Sequence, residues 1–264
     1  MKLGFIGCGN MASAMISGIL KNGICAPQEI TVSAKTQATL DKAKAEYGVS
    51  TATANAEVVK VADVVVLAVK PQFYAEVIAE IKDAVKPAQM IITIAPGKTL
   101  AWLAEQFGQK LPIVRTMPNT PAMVGEGITA ACPNETVTDE NLKCALKILE
   151  SCGKAEVIPE RLMDAVVAVS GSSPAYVFLF IEAMADAAVA DGMPRRQAYT
   201  FAAQAVLGSA KMVLETGKHP GELKDMVCSP AGTTIEAVRV LEEKGFRASV
   251  MDAMKACSDK AKSV

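Results

Sequence analysis

The chain has 264 residues, 51% of them apolar, with 27 Lys+Arg against 28 Asp+Glu and a net charge of -1. This length suits two domains with a sizeable core, and the near-neutral balance excludes an electrostatic footprint for nucleic acid or an anionic membrane. Seven scattered cysteines without a CxxC pair, and His219 as the single histidine, argue against a disulfide framework or a metal site. Apolar stretches such as 175–181 are too short to span a bilayer, and the opening turns into a glycine loop before a signal-peptide core develops. A cytoplasmic enzyme is the expectation.

The first half alternates strand and helix. Lys2–Ile6 reads as a buried strand, followed by a glycine loop and a helix from about Met11 to Lys21. Glu29–Ser33 is a second strand, and Gln37–Tyr47 a helix stopped by Gly48. The valine-rich run over Asp63–Val69, then Met90–Ile94 and Ile113–Met117, read as strands covered on both faces. Amphipathic segments at Phe73–Val85 and Leu100–Phe107 lie between them, and a helix over Asp139–Cys152 and a strand over Ala155–Ile158 complete the domain. Such alternation calls for a doubly wound, mainly parallel α/β sheet over 1–159.

From 160 to 264 no strand is expected and alanine is abundant. The helix over Pro174–Ala190 is apolar nearly all round, with Glu182 and Asp186 the only charges. A domain of this size has little interior to bury it in, so burial against a second subunit is expected. Further helices are expected over Arg195–Glu215, Gly221–Val227, Thr234–Lys244 and toward the end of the chain.

Ile6-Gly7-Cys8-Gly9-Asn10-Met11-Ala12 joins the first strand to the first helix and matches the dinucleotide fingerprint, with Ala12 in the third small position. Gly7 permits the tight turn, Gly9 lets a pyrophosphate approach the backbone, and the helix start supplies free N–H groups. The second strand ends without the Asp or Glu that holds a ribose 2′-hydroxyl; Ser33 and Lys35 there suit a 2′-phosphate, so NADP is expected, with NADPH preferred and NADH possible. Ala68-Val69-Lys70-Pro71 follows the next strand and is expected to line the cofactor crevice. Ala95-Pro96-Gly97 and the stiff Met117–Pro121 loop, with Asn119, occupy the same edge. Ser229-Pro230-Ala231-Gly232-Thr233-Thr234 breaks two helices; small hydroxylated residues there read first as cap material and second as a carboxylate site. Ser170–Pro174 reads as a tight turn, and His219 as a helix-start residue.

Together GFIGCGNM, AVKP, MPNTP, SGSSPAYVF and the stretch from His219 to Arg247 resemble the pyrroline-5-carboxylate reductase family over nearly the whole chain. The resemblance implies a Rossmann domain followed by an all-α dimerisation domain. It implies reduction of the C=N bond of Δ1-pyrroline-5-carboxylate to L-proline by NADPH or NADH, in a homodimer or an assembly of dimers. It places the substrate carboxylate on the loop of Ser229, Ala231, Gly232, Thr233 and Thr234, with Thr234 also near the ring nitrogen as the catalytic candidate. It places Glu160 in the substrate pocket and Asn55 against the cofactor ribose or 2′-phosphate. Three departures bear on single contacts: Ala231 where many members have Gly, which is tolerable if φ there is negative; Pro96, which donates no N–H; and Met226.

A β-hydroxyacid dehydrogenase shares the architecture but needs a lysine on the helix after the Ser-Gly turn; no Lys or Arg lies between Arg161 and Arg195. A non-catalytic NADP-binding regulator is the other alternative, hinted at by Ala231 and Pro96 alone.

Overall fold

The computed structural model describes residues 1–262; residues 263 and 264, the end of the expected helical domain, lie outside the described residues. The chain forms two compact units, Met1–Ser172 with the chain from Cys257 onward, and Ser173–Ala256. Residues 160–172, grouped with the helical domain on sequence grounds, belong to the first compact unit.

In the first unit, β1 (Leu3–Ile6), β2 (Ile30–Ser33), β3 (Ser50–Ala52), β4 (Val64–Leu67), β5 (Met90–Thr93), β6 (Ile113–Met117), β7 (Gly127–Pro133) and β8 (Gly153–Val157) make one sheet ordered β3-β2-β1-β4-β5-β6-β7-β8. Strands β1 to β6 run parallel; β7 pairs antiparallel with β6 and parallel with β8. The strand order reverses between β1 and β4, which opens the crevice of doubly wound folds at the strands' C-terminal ends. The central strands β1, β4 and β5 are buried along their whole length, as their unbroken apolar runs require.

The helices are α1 (Asn10–Lys21), α2 (Gln37–Tyr47), α3 (Asn55–Val61), α4 (Tyr74–Ile81), α5 (Leu100–Phe107) and α6 (Asp139–Leu149). They divide the core into two layers. One packs α1 against β1 and β2 through Met15, Ile16 and Ile19; the other packs α3, α4 and α5 through Val58, Ile78 and Leu103. Gly48 stops α2 in the left-handed conformation at φ 68.

The Ser170–Pro174 segment is not a tight turn. After α7 (Met163–Val166) the helix widens into a π turn over Val167–Gly171, where the Ser172 N–H reaches the Val167 carbonyl at 2.8 Å, and continues as α8 (Ser173–Ala190). The stretch Glu160–Ala190 is thereby helical nearly throughout, and by length and composition alone it is long and apolar enough to cross a membrane. Counting uninterrupted apolar runs missed this, because scattered polar residues break the runs without breaking the helix.

The second unit holds α8, with α9 (Arg195–Thr216), α10 (Pro220–Val227), α11 (Thr233–Glu243) and most of α12 (Phe246–Ala261). Helices α8 and α9 pack on each other. Phe178 is 62% exposed, Leu179 67% and Leu214 68%. Apolar side chains exposed to this extent on neighbouring helices make a surface that water does not favour.

Candidate active site

The crevice is built on the glycine loop. Gly7 has φ +96 and its N–H donates to the Ser33 carbonyl at 2.9 Å; a Cβ there would stand 2.6 Å from the Ala68 carbonyl oxygen. Any other residue would push β1 and β4 apart. Gly9 faces open space, with nothing within 4 Å of a built Cβ. It is also the N-cap of α1 and offers no capping side chain, so the first-turn N–H groups are open to an anion. Ala12 is buried, which holds the helix close to the strand. These features fit the pyrophosphate of a dinucleotide.

The remaining loop residues contribute backbone more than side chain. Ile6 is fully buried. Cys8 turns inward with its Sγ 3.9 Å from the Ser13 hydroxyl, and burial pushes its thiol up from the ordinary range. Met11 packs on the core, while Asn10 is exposed.

A cavity of about 300 Å³ continues from Gly7 along the end of β2, lined by Lys35, Asn55, Val69, Phe73, Glu76 and Glu80 among others. Lys35 sits with its Nζ 5.3 Å from the centre of the Phe73 ring. Ser33 is not brought to this surface in the way the sequence suggests. It is 1% exposed, and its hydroxyl donates to Asn55 Oδ1 at 2.7 Å. Asn55 in turn donates from Nδ2 to Glu80 at 2.7 Å, and its backbone N–H donates to the same carboxylate at 3.2 Å.

At the crevice edge, Ala68 is half-buried and Lys70 exposed, and Pro71 begins a short 3-10 turn. Ala95 is buried and Pro96 half-buried. Tyr74, wholly buried, ties the ends of β4 and β5 together. Its hydroxyl donates to the Leu67 carbonyl at 2.6 Å and accepts from the Ile94 N–H at 3.3 Å. Burial drives its phenol far above the ordinary range, so it stays a donor. Sequence reasoning missed Tyr74, though its polar tip on the buried stripe of α4 is a recognisable signal.

Asn119 lies at the end of β6 and is 8% exposed. Its Oδ1 accepts from the Ile128 N–H at 2.9 Å and its Nδ2 donates to the Ser170 carbonyl at 3.2 Å. Its side chain is therefore engaged with the protein rather than held out toward a ligand.

Glu160 accepts from the Leu100 N–H and from Arg115 Nη1, each at 2.7 Å. Arg115 is buried in β6, where a cation needs a counter-charge. That arginine inside an apolar strand is the signal the sequence reading passed over. The pair borders a cavity of about 440 Å³ with Gly97, Thr99, Arg161 and Asp164.

In the second unit, Ser229–Gly232 closes a β-turn, the Gly232 N–H reaching the Ser229 carbonyl at 3.1 Å. Pro230 occupies the first central position and Ala231 the second, at φ +55. That is the pattern of a type II turn, which favours glycine in the second place. The condition under which alanine would be tolerable is not met. Gly232, where a Cβ would meet Ser229 Oγ at 2.4 Å, is the N-cap of α11 and supplies no capping side chain. The hydroxylated residues of this loop are thus not caps. Thr233 and Thr234 are the first two residues of α11, at an N-terminus whose N–H groups remain open. His219, by contrast, is a cap: its Nδ1 accepts from the Gly221 N–H at 3.1 Å. Met226 is exposed. No cluster of metal-ligating residues occurs among the described residues.

A doubly wound sheet with an open glycine loop, and a bundle of incompletely buried helices, define a dinucleotide-dependent oxidoreductase with a dimerisation domain. Residues 160–264 match the family model for pyrroline-5-carboxylate reductase dimerisation, and residues 2–97 the model for NADP oxidoreductase, coenzyme F420-dependent. The chain is 53% identical over 260 residues to the pyrroline-5-carboxylate reductase of Escherichia coli K12, covering 98% of this chain and 97% of that one. The structure of a pyrroline-5-carboxylate reductase from Coxiella burnetii superposes with a TM-score of 0.93 at 37% identity, covering 99% and 97% of the two chains. That of Plasmodium falciparum pyrroline carboxylate reductase with NADP bound gives 0.90 at 34%, covering 100% and 97%. The chain belongs to the pyrroline-5-carboxylate reductase family.

Proposed function

We propose that the chain reduces the C=N bond of Δ1-pyrroline-5-carboxylate to L-proline, the last step of proline synthesis, with NADPH preferred over NADH. The observation that carries this is the near-full-length identity of 53% to an enzyme of that name. The division of labour is residues 1–159 for the dinucleotide and 160–264 for substrate and dimerisation. The bound nicotinamide supplies the hydride. The glycine loop holds the pyrophosphate, and Lys35 with Asn55 receives the 2′ end. The open first-turn N–H groups of α11, with Ser229, Ala231, Gly232 and Thr233, receive the substrate carboxylate. A protonated imine accepts hydride without a strong general acid, so the protein's task is orientation, worth up to roughly 7–11 kcal/mol of barrier in favourable cases. Thr234, with its hydroxyl, steadies the ring nitrogen as electron density arrives there. Glu160 fixes the substrate-side edge through Arg115.

The chain works as a homodimer, or an assembly of dimers, in the cytoplasm, without a nucleic-acid or membrane partner. The exposed apolar side chains of α8, such as Phe178 and Leu179, support a helix that belongs against a second copy. Following NADPH absorbance with pyrroline-5-carboxylate tests the activity. Substrate-dependent oxidation is expected; none at saturating substrate overturns the reading.

A further inference from the structure

The absence of an acid after β2 is offset elsewhere in the fold. Glu76 and Glu80, one turn apart on α4, line the same cavity as Lys35 and Asn55. Glu80 also fills a gap in the chain's own capping. Ala54, the N-cap of α3, has no side chain to offer, and Glu80 accepts the Asn55 backbone N–H in its place. The same carboxylate fixes which way the Asn55 amide points, because a carboxylate accepts only from the NH₂ end. Asn55 Oδ1 is then left to take the Ser33 hydroxyl proton. One amide hydrogen is spent on Glu80, and a full negative charge stands beside the amide.

We propose that Glu80 is a specificity-determining residue that holds back the preference for the 2′-phosphate, orienting Asn55 while opposing the charge that Lys35 attracts. The inference rests on assigning this cavity to the 2′ end of the cofactor. A ribose 2′-hydroxyl can donate to a carboxylate, whereas a phosphate brings about two negative charges to it. Lys35 and Glu80 therefore pull in opposite directions, and their balance sets how far the two cofactors are distinguished.

Two fragments, adenosine 2′,5′-bisphosphate and 5′-AMP, probe this without turnover. Their affinities are measured by calorimetry on the wild-type protein and on Glu80→Gln. The glutamine keeps an acceptor oxygen for Asn55 and removes the charge. The ratio favouring the bisphosphate is expected to rise about three- to tenfold, as for one unit charge removed near a partly solvated anion. Glu80→Ala, at the same exposed helix position, must shift the ratio in the same direction. A ratio unchanged within twofold in both variants, accompanied by a lower melting temperature, makes Glu80 a helix cap alone and overturns the proposal. The wild-type ratio is a separate reading: equal affinity for both fragments would refute NADPH preference, while a rise on removing Glu80 would still uphold the role of that residue.

Discussion

Asn119 donates to the Ser170 carbonyl, four residues before Pro174, which has no N–H to give it. Asn119 Nδ2 makes that bond at 3.2 Å, while Oδ1 holds the Ile128 N–H at the start of β7. One side chain thus ties the end of β6, the start of β7 and the π turn.

Asn119→Ala leaves both groups without this partner, at about 1–3 kcal/mol each when buried. We expect a stability loss of about 2–4 kcal/mol, or a fall in Tm of roughly 5–15 °C for a chain of this size. Urea titration checks it; a loss under about 0.5 kcal/mol, the usual surface value, would mean that water serves these groups equally well.

Ala231 at φ +55 stores strain of about 1–2 kcal/mol for an L-residue. Glycine relieves it but loses about 0.5–1 kcal/mol in chain entropy. Ala231→Gly is expected to raise stability by about 0.5–1 kcal/mol, read by urea titration. A destabilised variant would show that the turn does not hold this geometry in solution.

Lys35→Ala removes the cation at the 2′ end of the cavity. KM for NADPH should rise roughly five- to tenfold, the loss of one exposed charged contact, while KM for NADH stays within twofold. A wild-type protein with the lower KM for NADH would contradict the assignment of this loop.

Thr234 follows the cap position of α11 rather than occupying it, so its hydroxyl is not needed to start the helix. Thr234→Ala should lower kcat about 10- to 150-fold, a hydrogen bond to a charging group, with a smaller change in KM. A variant that melts lower yet keeps the wild-type kcat would assign the hydroxyl to stability.

Phe178 and Leu179 are exposed on α8. Equilibrium sedimentation should show a dimer, whose interface is expected to bury more than about 2,000 Å². Replacing both residues with Asp should give an inactive monomer or insoluble protein, and a stable, active wild-type monomer would contradict the assembly.

The sequence made the crevice largely legible because its parts are local. A valine run, a glycine loop and a stop at Gly48 each carry their physics within a few residues. β7 was not legible: GITAACP is rich in small residues with weak strand preference, and pairing with β6 decides its state. β3, three residues long, is held by β2 in the same way. Of the candidate site, Lys35 and Ser33 were readable at the end of β2, though Ser33 is buried; Asn55 came only with the family resemblance. Glu80 was not readable, because α4 brings it from 25 residues beyond Asn55. The backbone conformation of Ala231 was posed by the sequence as a question that only a turn geometry answers.

The first unit leaves the polypeptide at Ser172 and resumes at Cys257, and these residues stand side by side, with Sγ to Oγ 3.2 Å. Topologically the helices between them are a closed excursion inserted into the nucleotide-binding unit, entered and left through one doorway. An excursion with adjacent ends can change in length or helix arrangement without altering the register of the sheet it departs from. The cradle for the cofactor and the surface for self-association are therefore separately adjustable on one continuous chain.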